Sequence, residues 1–150
     1  MKNVFDSLVV AELVSRINRL SPTTPAAWGK MSVDQMLAHC NVSYEMVYED
    51  KHPRPGPLKS LVLKALVKRA VVGPRPYRRN TPTAPQFKMV SPKDFEQEKQ
   101  RLIGFLERVQ RDGERAFEGR SSHSFGPLST TEWSTMFYKH LDHHLTQFGV

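Results

Sequence analysis

The sequence predicts an all-α fold: a four-helix bundle with a basic, Pro-rich insertion, containing a short helix, between its second and third long helices. Three observations carry this. Four segments repeat apolar residues at the spacing of one helix face. Three of them open on a capping signal. No stretch reads as a convincing strand. At 150 residues, the chain is expected to be a single domain over 1–150.

The first helix is expected over about residues 4–20, where Leu8, Val9, Leu13, Ile17 and Leu20 recur, and it ends at SPTTPAA because proline cannot continue it. The second opens at SVDQ, with Ser32 as N-cap and Gln35 completing a capping box. Its stripe is Val33, Met36, Leu37, Cys40, Tyr44 and Val47, and it runs to about Glu49. HPRPGP then breaks the pattern. LKSLVLKALVKRAVV reads as a short basic helix, and GPRPYRRNTPTAPQF as a loop anchored by Tyr77 and Phe87. The third helix is expected to open at SPKD, with Ser91 as N-cap, Pro92 at the first helical position and Asp94 as capping partner. It is expected to run to about Phe117, weakened by Gly104 and Gly113. The fourth opens at STTE, with Ser129 and Glu132 as the capping pair.

Charge is distributed unevenly. The formal net charge is +7, yet residues 51–93 hold eleven of the 22 basic residues and no acid. The remainder holds eleven basic residues against 15 acids, a net −4. The basic character thus belongs to one insertion, and no nucleic-acid-binding module accompanies it, so no nucleic-acid partner is expected. The insertion's helix could lie on an anionic membrane, but a solvated packing helix is the commoner use of such a stretch, and no membrane partner is expected. No apolar run is long enough to span a bilayer, and the first twenty residues, interrupted by Asp6 and Glu12, do not read as a signal peptide. Cys40 is the single cysteine, which fits a reducing compartment and a cytoplasmic location.

The chemistry concentrates in the last helix, WSTMFYKHLDHHLTQFGV. At about 100° per residue, with Trp133 at the origin, Phe137 falls at about 40° and Leu141 at about 80°. His140 and His144 fall at about −20° and +20°, on the same buried face, and His143 at its edge at about −80°. Two neutral imidazoles one turn apart can place nitrogens on one metal ion, whereas burial without a partner would be costly. Histidines satisfied by ordinary hydrogen bonds are the alternative. On the second helix His39 flanks the apolar stripe beside Ser43 and Met46, where it can serve as a third ligand or as a boundary residue.

These residues carry a resemblance. A histidine in MLAHC on the second helix and HLDHHLTQF on the last resemble the DinB-like (YfiT-like) metalloenzyme superfamily. WGKMSVDQMLAHC, RNTPTAPQF and HSFGPLSTTEW…YKHLDHH resemble one branch of it with no assigned reaction. The resemblance implies a four-helix bundle holding a divalent metal on three imidazoles, here His39, His140 and His144. It also implies supporting or site-mouth roles for His143, Gln147 and His123, with Tyr44 a further candidate donor to substrate. Relatives in the superfamily include transferases and isomerases that use low-molecular-weight thiols.

Three imidazoles leave an ion its full charge and an open position, unlike a closed structural site. Zn or Ni is favoured, with Fe or Mn as alternatives, because imidazole suits several of these ions. No carboxylate stands out as a general base: Asp142 points away, and Glu45 and Asp34 are off the stripe. Cys40 reads first as a small buried hydrophobe, with nucleophile or fourth ligand the alternative. The expected function is a metal-dependent transferase or hydrolase acting on a small-molecule substrate, with a thiol as cosubstrate. The alternative is a non-catalytic binding or stress-related module whose basic insertion contacts an anionic partner. Pairing into a homodimer is compatible with either.

Overall fold

The computed structural model describes residues 1–150 and contains six α-helices and one hairpin of two two-residue strands. The fold is all-α. Helix α1 (Ser7–Asn18) begins after Asp6, whose carboxylate accepts from the Leu8 N–H at 2.8 Å, and it buries Val10, Leu13 and Ile17. Helix α2 (Val33–Tyr48) begins at the expected SVDQ signal, where Gln35 Oε1 accepts from the Ser32 N–H at 3.3 Å. The insertion forms α3 (Pro57–Leu66) and α4 (Lys68–Val72), then a short 3₁₀ turn at Pro85–Phe87. Helix α5 covers Phe95–Phe117 and α6 covers Thr130–Gln147, the latter with both halves of its Ser129/Glu132 capping box.

Four details differ from the expectation. The insertion helix is not continuous: it breaks at Val67, where φ is −108°. The N-cap of α5 is Asp94 rather than Ser91, and Pro92 lies outside the helix. The reason is tertiary. Asp34 accepts from the Lys93 N–H at 2.7 Å and the Gln35 side chain donates to the Ser91 carbonyl at 3.4 Å, so the first turn of α2 holds residues 91–93 out of helical geometry. Gly113 adopts φ 72° and ψ 173°, which interrupts α5 rather than merely weakening it. The following turn delivers Phe117 into the core, fully buried. Finally, Ser121–Ser122 (β1) pairs antiparallel with Gly126–Pro127 (β2) where only a loop was expected.

The four longest helices share one hydrophobic core. Tyr44 of α2 stacks between Phe105 of α5, at 5.6 Å, and Phe137 of α6, at 4.8 Å. Trp133 and Phe117 extend this aromatic layer, with ring centroids 5.5 Å apart. The layer sets the height at which α2 faces α6. Tyr44 meets Phe137 while His39 meets His140 and His144, so the two helices run antiparallel. Arg16 ties α1 to the end of α6 through Asp142, at 2.7 Å, and the Val150 carbonyl, at 2.9 Å. No helix is long and apolar enough to cross a membrane.

Candidate metal centre

His39, from mid-α2, meets His140 and His144, one turn apart on α6. One ligand atom from each lies within 4.8 Å of the other two, and this group can hold a metal ion. His39 is 4% exposed and His144 7%, while His140 is partly covered. His39 Nε2 and His140 Nε2 stand 3.0 Å apart. Nitrogens bound to one tetrahedral Zn at 2.0–2.1 Å would be about 3.3 Å apart, so a small outward shift of this hydrogen-bonded pair would reach that spacing.

The outer ring nitrogens explain why the inner ones converge. His39 Nδ1 donates to the Phe87 carbonyl at 2.8 Å; a carbonyl only accepts, so the ring proton is on Nδ1 and Nε2 presents a lone pair. Gln147 Nε2 donates to the Trp28 carbonyl at 2.6 Å, which orients the amide so that Oε1 accepts from His144 Nδ1 at 2.8 Å. His144 therefore has the same tautomer. His140 Nδ1 lies 2.9 Å from the Ser43 hydroxyl, which can accept or donate. Each imidazole thus has a hydrogen-bond partner on its outer nitrogen, the arrangement that orients metal-ligating histidines. Because His39 Nε2 accepts, the proton of their contact is on His140 Nε2; a cation binding there would need that proton on His140 Nδ1 instead, where the Ser43 hydroxyl can accept it.

The same environment keeps the rings neutral. Burial, aided by the neighbouring His39, holds His144 down to about 3. Burial and then the charges of His144 and His39 hold His140 well below the usual imidazole range, and burial lowers His39 too. Neutral imidazole is the metal-binding form, so no proton has to be driven off these groups at neutral pH.

The insertion completes the site. Phe87, whose carbonyl holds His39, lies tilted against the His39 ring at 5.2 Å and edges His140 at 5.8 Å. Tyr77 approaches His140 at 6.4 Å and His143 at 5.8 Å. The buried Lys139 donates to the Ala70 and Gly73 carbonyls at 2.8 and 2.5 Å and lies over the Tyr77 ring, fastening α4 to α6. From the other side, Trp28 edges His143 at 5.8 Å, and Arg79 stacks on Trp28 at 4.0 Å. Trp28, Tyr77 and Phe87 thus form an aromatic collar around the imidazoles, with His143 half-buried among them.

The remaining candidates are placed elsewhere. Tyr44 is enclosed in the core stack, its hydroxyl buried without a partner, and its ring contacts phenylalanines rather than the imidazoles. His123 bonds Ser124 and the His52 carbonyl, at 3.0 and 3.2 Å, beside a separate hollow lined by Met46, Tyr48 and Arg54. Cys40 is fully buried against the Met36 sulfur at 3.7 Å, and burial pushes its thiol far up, which suits neither nucleophile nor ligand. Asp142 is engaged by Arg16. No carboxylate supports these rings. The partners are instead a main-chain carbonyl, a serine hydroxyl and a glutamine amide. Ser43, four residues after His39, carried the one readable signal, since it shares that flank of the helix.

An all-α chain with a buried three-histidine group belongs to the class of candidate metal-binding helical proteins. Residues 4–149 match the family described as Protein of unknown function (DUF1569), and the chain belongs to that family. No curated protein and no solved structure matches it.

Proposed function

We propose that this protein is a DinB-like metal-dependent enzyme that binds a divalent ion, Zn or Ni before Fe or Mn, on His39, His140 and His144. Its activity would be that of a transferase or hydrolase acting on a small molecule, with a low-molecular-weight thiol as cosubstrate. One observation carries this reading: the inner nitrogens converge while every outer nitrogen already has a partner. His39 and His144, protonated on Nδ1, turn their Nε2 lone pairs inward, and His140 can do the same once its proton sits on Nδ1 against Ser43.

A bound ion would supply Lewis-acid charge and open coordination positions for a small ligand. The chain's own residues do the rest. Gln147, Ser43 and the Phe87 carbonyl hold the ring orientations, and Trp28, Tyr77 and Phe87 restrict water at the mouth. Arg79, held on Trp28, brings a positive charge to the His143 side, which favours an anionic substrate group or a thiolate. No carboxylate is bonded to the imidazole group, which favours transfer from an already ionised thiol over hydrolysis needing a general base.

The test is elemental analysis of protein purified without a histidine tag or nickel resin. One ion per chain, lost in His140→Ala and His144→Ala while the helical circular dichroism is retained, supports the reading. A metal-free, well-folded protein that binds no divalent ion on titration would overturn it. A thiol-transfer screen with several low-molecular-weight thiols then tests the reaction class.

A further inference from the structure

The second feature that needs an explanation is the outer face of α3. No residue of this helix is buried. Leu58 is 76% exposed, Leu61 65% and Leu66 75%, with Val62 also exposed. At about 100° per residue these four and Ala65 occupy one arc of about 140°. Lys59 lies just beyond the Leu66 edge of the arc and Lys64 beyond the Leu61 edge, so a cation flanks each border. Ser60 and Leu63, the two partly covered residues, face the other way, toward the protein. The apolar exposure is concentrated: of the eight large hydrophobic residues exposed in the whole chain, five lie within residues 58–67.

Charge indicates what covers this face. Of the eleven basic residues in 51–93, only Lys51 and Lys68 meet a carboxylate of this chain. Nine therefore have no acidic partner. Pairing this face with the same face of a second copy would bring two acid-free basic segments together, with Lys59 and Lys64 of each copy at the seam, which opposes association. A negatively charged apolar surface satisfies both halves of the pattern. Leucines would enter the acyl boundary while the flanking lysines extend to headgroup phosphates.

We propose that α3 docks this protein, in the plane of the interface, onto an anionic lipid surface. The fold is arranged to carry such a load. α3 is joined to α4, and α4 is fastened to the body by the Lys139 hydrogen bonds to Ala70 and Gly73. The contact needs no metal, so it stands or falls separately from the function proposed above.

The test is co-sedimentation of the full chain with vesicles of phosphatidylcholine alone and of phosphatidylcholine with phosphatidylglycerol. Binding is expected only to the anionic vesicles and is expected to fade at high salt. The double variant Leu61→Glu/Leu66→Glu should weaken it about tenfold or more, and Lys59→Glu and Lys64→Glu each about fivefold. Both sets should keep the wild-type melting temperature, because they touch no buried residue. Three results would each overturn the proposal. One is absence of binding to anionic vesicles. Another is binding that survives the leucine substitutions, including equal binding to soluble polyglutamate. The third is a concentration-dependent dimer in sedimentation that Leu61→Glu/Leu66→Glu abolishes, which would assign the face to a second copy.

Discussion

His39 and His140, 101 residues apart in sequence, place their Nε2 atoms 3.0 Å from one another, and each ring is held from behind by a different element. Such a pair must share either a proton or a cation. A divalent ion that replaces the proton binds the folded state alone, so it stabilises by about 2.7 kcal/mol at a hundredfold excess over its Kd. For a chain of this length that corresponds to a rise of about 5–10 °C in melting temperature. Thermal scans with Zn and Ni should show this shift in the wild type and none in His39→Ala/His140→Ala. An equal shift in that variant would place the ion elsewhere.

Ser43 and Gln147 lie outside the three-histidine group, yet each is bonded to one of its rings. Ser43→Ala and Gln147→Leu should each lower metal affinity about 10–100-fold in a chelator competition, with the fold intact. Unchanged affinity in both would mean that the rings are held by packing alone.

The buried imidazoles should make the metal-free protein sensitive to acid. His144 is held down to about 3 when folded and returns to about 6.5 when unfolded. Between these values the unfolded chain binds more protons, so stability is complete above about 6.5 and is lost as the pH falls through this window. Near 1.4 kcal/mol per pH unit, this one group costs about 2 kcal/mol by pH 5. Urea midpoints at pH 7.5 and 5 should differ by at least this much, since His140 and His39 are lowered too, and His144→Gln should reduce the difference by about its own share.

Gly29 has φ +83°, and a Cβ there would lie 2.6 Å from Gln147 Nε2. Gly29→Ala should therefore cost about 1–2 kcal/mol in backbone strain and also displace the amide that holds His144. The check is a paired measurement, a lower unfolding midpoint together with weaker metal binding. Lost stability with wild-type affinity would show that the loop yields and Gln147 stays in place.

Lys139→Met should remove the donor that satisfies the Ala70 and Gly73 carbonyls, at about 1–3 kcal/mol. Hydrogen exchange should then speed up across residues 57–75 while α2 and α5 keep their protection. Uniform loss of protection would mean that α4 is integral to the core rather than fastened on.

Local rules made much of this molecule legible. The caps at Ser32 and Ser129 appear as expected because both halves of each signal lie within one turn, and the distant groups that reach Gln35 and Glu132 use their other side-chain atoms. The stripe Trp133, Phe137, Leu141 is buried because helical periodicity leaves it no other face. The cap at Ser91 failed for the opposite reason: Asp34, on another helix, took the Lys93 N–H. His39, read as a flank residue, is buried because the insertion folds back over it and Phe87 supplies its hydrogen bond.

The sequence by itself determined the helices, the buried face of α6 and the turn-to-turn spacing of His140 and His144, since these depend on backbone geometry and on contacts within a few residues. Only the tertiary structure decided which nitrogens meet, what holds them from behind, and that the basic insertion covers the site on one side while leaving the leucines of α3 uncovered on the other. Those outcomes rest on hydrogen bonds and packing between segments 48 to 119 residues apart. No local periodicity records such pairings.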